Sequence, residues 1–282
     1  MRKLTIITIN RDNAEGLEKT MRSVLSQTCQ DIEYVVVDGA STDGSVEVIR
    51  RYAESFGERM NWVSEPDSGV YNAMNKGIRM ATGEYLQFLN SGDYLATDDV
   101  TERILAEIEC QDNPPILYGN LYKSYPNGRQ VLAKGLHGCK ITLLKMYRYT
   151  LHHNSTYIQR RLFEEYGVYD ENLKIVSDWK WFLQVIVFGG IVPKYIDYPI
   201  DVYDMSGISS TNKELKEQEH QEVLKDLLPP AILDDYEQYS VAMERFSRRK
   251  RYPLFFWITS FLDRCIAKWE NTRDQIVSRV RR

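Results

Sequence analysis

Four carboxylates stand where an acid has a chemical use. Asp38 closes IEYVVVDG (32–39), Asp67 lies in EPDSG (65–69), Asp93 in FLNSGDYL (88–95) and Asp178 in SDWKWFLQ (177–184). An acid like Asp38 at a strand end accepts hydrogen bonds from a nucleoside base or ribose, or it caps the turn into the next helix, a role open to Asp43 as well. Asp67 and Gly69 precede a helical pattern, where free backbone N–H groups favour an anion such as diphosphate. Asn75 and Lys76 follow one to two turns inside; the plain alternative is a capped helix with a surface lysine. Asp93 is the only acid of NSGD (90–93). A hard cation such as Mg2+ or Mn2+ needs only one or two protein carboxylates when phosphates and water complete its shell, so Asp93 suffices unless it is a turn residue. Asp178, at a helix start, caps that helix or serves as a general base in a crevice. His152 and His153 are adjacent in LHHNSTYI (151–158), so on a strand at most one faces a site. No HxH or HxxxH spacing supports zinc.

The elements that must position these groups alternate. KLTIITI (3–9), IEYVVVDG (32–39), MNWVSE (60–65) and GEYLQFLN (83–90) read as strands. Helical patterns separate them at 14–27, 43–56 and 69–81, and another follows at 98–109. Leu17, Met21, Val24 and Leu25 share one face of the first helix; Tyr71, Met74 and Ile78 share one face of the third. Apolar strands alternating with helices predict a parallel α/β sheet covered on both faces. Ligands of such sheets bind beyond the carboxyl ends of the strands. Those ends carry Thr8 and Asn10, Asp38, Asp67, and Asn90 to Asp93. Beyond residue 110, PILYGNLYKSYPNGRQVLAKG (115–135) predicts a hairpin turning at PNG. SDWKWFLQVIVFGG (177–190) predicts an apolar helix capped at Ser177 or Asp178 and ended by Gly-Gly. Residues 192–210 predict short strands leading to a flexible loop, and 213–248 a charged helical segment.

The chain has 282 residues, 43% hydrophobic and 27% charged, as expected of a soluble globular protein. Its four cysteines are too far apart in sequence for metal-binding pairs and read as free thiols in a reducing compartment. The N-terminus reads as a strand rather than a signal peptide, and no stretch approaches the ~20 apolar residues that span a bilayer. Residues 245–282 hold 11 Lys+Arg against 3 Asp+Glu in a chain of net charge −4. Within this basic tail, Leu254, Ile258, Phe261, Leu262, Cys265, Ile266 and Trp269 recur at helical spacing. That combination predicts a helix lying on an anionic membrane surface. The alternatives are docking on the rest of the chain or a homodimer. No nucleic-acid partner is expected.

The order of LTIITINRDNAEGLEKTMRSVLSQT, EYVVVDGASTDGS, SGVYNAMNKGIRMATGEYLQFLNSGDYL and SDWKWFLQ resembles the family 2 glycosyltransferases of bacterial polysaccharide assembly. The likeness covers roughly residues 3–210. It implies a GT-A fold, a Rossmann-type, mostly parallel sheet flanked by helices, here with a C-terminal helical extension. The resulting division is a nucleotide-sugar domain at 1–210, a charged helical segment at 211–248 and a basic amphipathic helix at 249–282. By resemblance, Thr8, Asn10, Asp38, Asp67, Asn75 and Asn90 bind the nucleotide, and Asp93 is the remaining ligand for Mn2+ or Mg2+. Asp178 falls at the catalytic base, His153 at the family's HQ, and Ser206 in a mobile loop, SGISS (206–210). Gly39 replaces the second nucleoside acid of the family, and Asn90 and Gly92 replace acids of its diphosphate motif.

The implied reaction is an inverting transfer from a nucleotide sugar, a UDP-sugar favoured. The acceptor is a hydroxyl of a lipid-linked or cell-surface glycan, at the cytoplasmic face of the membrane. Two other classes remain open: a non-catalytic nucleotide-binding or scaffold protein, and a nucleotidyltransferase. The last would favour a Gly-rich basic loop after the first strand, where NRDNAEG has one glycine.

Overall fold

The computed structural model describes residues 2–136, 139–207, 211–250, 257–258 and 261–270. The chain divides into two compact units, residues 1–223 and 224–282.

The first unit is built on a nine-stranded sheet. β1 (Leu4–Asn10), β2 (Ile32–Asp38), β3 (Met60–Ser64) and β4 (Tyr85–Phe88) pair in parallel in the order β3-β2-β1-β4. Every residue of β1, β2 and β4 is buried, which is why these segments lack apolar–polar alternation. The helices that return the chain are α1 (Ala14–Leu25), α2 (Ser45–Phe56) and α3 (Val70–Met80). Leu17, Met21 and Val24 of α1 are fully buried, as are Met74 and nearly so Tyr71 and Ile78 of α3. Cutting a side chain such as Met21 to alanine would cost about 2–5 kcal/mol. Gly77 lets α3 lie directly on β1, since a methyl group there would run into Ile7 Cγ2.

The second half of the sheet is mixed. β5 (Tyr94–Leu95) follows the turn after β4, and α4 (Val100–Cys110) leads to the hairpin of β6 (Ile116–Ser124) and β7 (Gln130–Ala133). After α5 (Leu143–Arg148), β8 (Thr156–Gln159) pairs antiparallel with both β4 and β6. α6 (Arg161–Tyr166) and α7 (Ser177–Phe182) precede β9 (Lys194–Asp204), which runs parallel to β6 and antiparallel to β5. The segment expected as several short strands is thus one 11-residue strand, accommodated on β6 by a bulge near Asn120.

The apolar helix at 177–190 is α-helical through Phe182 and continues as a π-helix over Leu183–Phe188. Its cap differs from expectation. Val176 is the N-cap, and Ser177 and Asp178 lie inside the first turn without capping it. The backbone N–H groups before this turn are instead taken by Glu219, on α8 (Lys213–Leu227). Hence the first unit extends past residue 210 to include the start of α8.

In the second unit, α8 ends before Pro229 and α9 (Pro230–Lys250) begins, so the charged segment is two helices. Residues 257–258 and 261–270 are helical, and Trp257 stacks on Phe261 with centroids 6.0 Å apart. Among the described residues no helix is long and apolar enough to cross a membrane. Ser209, Ser210 and the rest of the tail lie outside them.

Candidate active site

The strand ends meet at a cavity of about 420 Å³. Asn10 and Arg11 at the end of β1, Asp67 before α3, Asn90 and Asp93 after β4, and Asp204 and Ser206 at the end of β9 line it, together with Tyr71 and Lys174.

At the β2 end, Asp38 is fully buried and saturated. Oδ1 accepts from Asn10 Nδ2 (2.8 Å) and Ser41 Oγ (2.6 Å), and Oδ2 from Ser41 N (3.0 Å) and Ser64 Oγ (2.7 Å). Burial pushes its pKa up, but the bonds from Ser41, Ser64 and Asn10 outweigh burial and hold it below the usual carboxylate range. Four donors fill a carboxylate's accepting capacity. Asp38 is thus fully engaged within the protein, bracing Asn10 and Ser41. The acid that does face the cavity here is Asp67. Its Oδ1 accepts Gly69 N (3.0 Å), and its Oδ2 occupies the space that a side chain on Gly39 would need. Arg11 Nη1 is 3.7 Å from Asp67 Oδ1.

Two further expected nucleotide ligands are bonded within the protein. Thr8 is fully buried, donating to Leu89 O (2.6 Å) and accepting from Tyr34 Oη (3.0 Å). Asn75 is also fully buried. Its Nδ2 donates to Tyr169 O and Glu171 Oε1 (both 2.9 Å) and its Oδ1 accepts from Tyr169 N (3.0 Å). It ties α3 to the segment that leads to Asp178. Lys76 bonds Pro66 O (2.8 Å) and pairs with Glu65 (2.7 Å), bracing the turn at Asp67.

In the NSGD turn, Gly92 takes φ +102°, a conformation glycine adopts without strain. Asp93 is 4% exposed, and its Oδ1 accepts Asp204 N (2.8 Å). Burial drives its pKa up to about 7; the Asp204 bond and the charge of His153 oppose that, and the Asp204 carboxylate adds to it. Asp204 is the functional candidate that sequence reading missed, although IDVYD (200–204) also ends a strand on an acid.

Among the described residues no group of three or more His, Cys, Asp or Glu gathers as a metal site. Two adjacent carboxylates, Asp93 and Asp204, with Asp93 short of stabilising positive charge, still fit a divalent ion whose other ligands are phosphate and water.

A hydrogen-bonded set runs from Tyr71 and Asn90, which line the cavity, to Asp178 and His153. Asp178 Oδ1 accepts the hydroxyl of Tyr71 (2.9 Å), which also bonds Ile175 O (2.7 Å). Asp178 Oδ2 lies 2.9 Å from His153 Nδ1, and His153 Nε2 lies 3.2 Å from Asn90 Nδ2. Burial raises the Asp178 pKa, but the bond and charge of His153, then the Tyr71 bond, outweigh it and keep Asp178 below the usual range. For His153 burial lowers the pKa, but the Asp178 bond and charge prevail and raise it. The neighbouring His152 packs on Tyr203, ring centroids 6.2 Å apart, and burial lowers its pKa to about 3. The two adjacent histidines thus meet different partners.

A family model described as glycosyl transferase family 2 matches residues 4–167. The chain belongs to this family. A glycosyltransferase of PGL/p-HBAD biosynthesis from Mycobacterium bovis (strain BCG / Pasteur 1173P2) is 30% identical over 199 residues, 70% of this chain and 75% of that one. Among solved structures, S. aureus TarS in complex with UDP-GlcNAc superposes with a TM-score of 0.64 at 18% identity, over 83% of this chain and 70% of that one. The mannosyltransferase PcManGT from Pyrobaculum calidifontis, in complex with GDP-Man and Mn2+, gives 0.56 at 16% identity, over 77% and 59%. These likenesses establish a GT-A-like fold, and family membership makes the chain a glycosyltransferase. The scaffold and nucleotidyltransferase alternatives fall away.

Proposed function

We propose that this transferase moves a hexose with inversion from a nucleotide-sugar donor, a UDP-sugar first among them, to a hydroxyl of a lipid-linked or cell-surface glycan. The observation that carries the reading is the linked set Tyr71–Asp178–His153–Asn90, which reaches the cavity at Tyr71 and Asn90, together with the acids Asp93 and Asp204 that line it. The first set would remove a proton, and the acids would receive the leaving diphosphate.

Asp67 and Asn10 line the cavity and would meet the base and ribose, with Arg11 and Lys174 adding positive charge to the lining. Asp93 and Asp204 would hold a divalent ion, which when bound offsets the negative charge of the departing diphosphate. The Asp178–His153 pair takes up the acceptor's proton as its oxygen attacks the anomeric carbon. Ser206, whose backbone N–H bonds Asp204 Oδ1 (2.9 Å), lines the same cavity beside the acid pair. A lipid-linked acceptor fits a peripheral position at the cytoplasmic membrane face, with the basic tail on anionic lipid.

Asp178→Asn is the direct test. Transfer should be lost while nucleotide binding persists. A thermal-shift series with UDP, GDP, dTDP and CMP, each with and without Mn2+, identifies the base and the metal together. Retained turnover in Asp178→Asn, or no response to any nucleotide, would sink the reading.

A further inference from the structure

Asp178 is the carboxylate base of the transfer reading, and it is held by both oxygens. Oδ1 accepts the Tyr71 hydroxyl at 2.9 Å, and Oδ2 lies 2.9 Å from His153 Nδ1. A carboxylate has about four accepting positions, so these contacts leave room for a further proton. The Tyr71 hydroxyl also lies 2.7 Å from Ile175 O, so its single proton serves two acceptors, of which an ionised carboxylate is the stronger. Ile175 is thereby held at both ends of its backbone, by Tyr71 at the carbonyl and by Glu219 at the N–H. Tyr71 stands in the first turn of α3 and lines the cavity with Gly69 and Val70. It is 5% exposed, and its ring packs on Tyr169 with centroids 5.6 Å apart. One side chain is thus both part of the cavity wall and a hydrogen-bond donor to Asp178.

We propose that Tyr71 is the positioning residue for the base: its hydroxyl, carried in the cavity wall, holds Oδ1 of Asp178 in place for proton transfer. The inference rests on the transfer reading above, in which Asp178 takes the acceptor's proton. In the step, the acceptor O–H bond breaks and its proton goes to the Asp178 carboxylate. The acceptor oxygen bonds the anomeric carbon. The bond from that carbon to the diphosphate breaks, and its electron pair leaves with the diphosphate. Tyr71 keeps its own proton throughout.

The groups that face Asp178 come from several elements. Tyr71 comes from α3 and His153 from the chain before β8, and the Trp179 N–H adds a backbone bond from α7. The charge of Asp178 also reaches Tyr169, His152 and, on α8, His220. Burial raises the Asp178 pKa, and the His153 and Tyr71 contacts outweigh it. Burial, then the Asp178 charge, pushes the Tyr71 phenol well above 10, so it keeps its proton and stays a donor. Removing its hydroxyl leaves burial of Asp178 less opposed. The carboxylate should then take up a proton at higher pH, and the base is lost from the acid side first.

The test compares the wild type with Tyr71→Phe, which keeps the ring against Tyr169 and removes only the hydroxyl. Transfer by the wild type comes first, since its absence refutes the transfer reading and not the hold on Asp178. Given transfer, Tyr71→Phe should lower kcat about tenfold at neutral pH with the donor KM little changed. The acid limb of its kcat–pH profile should move to higher pH, so the loss deepens as pH falls. A merely structural role would lower kcat by one factor at every pH. Fluorotyrosine at position 71, a stronger donor of nearly equal size, should move the limb the other way. A kcat within about twofold of wild type in Tyr71→Phe, a limb that stays in place, or a shift of the same sign in both variants overturns the proposal. Carboxyl 13C titration of Asp178 needs no transfer. Its midpoint should rise in Tyr71→Phe, and equal midpoints overturn the proposal as well.

Discussion

Glu219 holds Ile175. Its Oε2 accepts Ile175 N at 2.9 Å and Val176 N at 3.2 Å, while Oε1 accepts Lys174 N at 2.7 Å. One carboxylate, 4% exposed, thus satisfies three consecutive N–H groups just before Asp178. The next residue, His220, packs on Trp179 with ring centroids 4.2 Å apart. Glu219→Ala leaves these donors without a partner and should cost about 1.5–3 kcal/mol in denaturant unfolding. It should lower kcat as well, because Asp178 follows directly and Lys174 lines the cavity. Glu219→Gln keeps one acceptor oxygen and should fall between. A loss under about 0.5 kcal/mol in Glu219→Ala would show that water replaces the carboxylate.

Gly39 and Asp67 share one volume, since a Cβ on residue 39 would collide with Asp67 Oδ2. Asp67, from the β3 side, thus puts a carboxylate beside position 39, where the resemblance implies an acid. Gly39→Ala should push Asp67 aside and raise the donor KM, about tenfold for each 1.4 kcal/mol of lost binding, with kcat little changed. In Asp67→Ala the methyl group meets no carboxylate, so the second substitution should then add little. Additive effects in this double-mutant cycle would mean that the two positions do not share the donor site.

The sheet was legible because its strands are buried on both faces and its helices show their apolar stripe; Leu17, Met21 and Val24 behaved as their spacing implied. The strand ends were legible as a group for the same reason. Single roles were not. Thr8, Asn75 and Asp38 look like ligands by type and position, and the fold spends all three on internal bonds. Apart from the two bonds from Ser41 to Asp38, these join residues 26 to 96 positions apart, beyond any local pattern. Glu219 shows the limit most clearly, as nothing around it in KEQEHQEV (216–223) marks one glutamate as a cap for residues 174–176. Tyr71 was visible as a core residue, but its hydroxyl contact to Asp178 spans 107 positions.

Asp93 gives the site a pH dependence whose sign is fixed. Its pKa rises from 3.8 to about 7 on folding. Between those values the folded state binds more protons than the unfolded one, so this group's effect on stability worsens as pH rises through the interval. A divalent ion with UDP binds the ionised form and should offset the effect. The thermal shift from Mn2+ plus UDP should therefore be larger at about pH 8 than at about pH 6. Asp93→Asn should lose the Mn2+-dependent part of the shift and keep the response to nucleotide alone. An equal Mn2+ response in that variant would remove Asp93 from the metal site.

The described part of the tail carries an exposed apolar surface. Trp257, Phe261, Leu262, Ile266 and Trp269 are 50–63% exposed, and Ile258 is 43% exposed. At 3.6 residues per turn they fall on one half of a helix, and Arg264 and Lys268 fall along one edge of it. Long basic side chains at such an edge reach headgroups while their stems stay in the apolar layer. Each basic residue near an anionic surface adds about 1 kcal/mol, and the surplus across 245–282 is concentrated in this tail. The full chain should therefore sediment with vesicles containing phosphatidylserine and release as salt rises, whereas a chain ending after residue 245 should stay in solution. Neutral vesicles should hold the full chain more weakly, because only the apolar half remains to bind. If truncation leaves partitioning unchanged but converts a dimer to a monomer in light scattering, the surface belongs to a second copy of the chain instead.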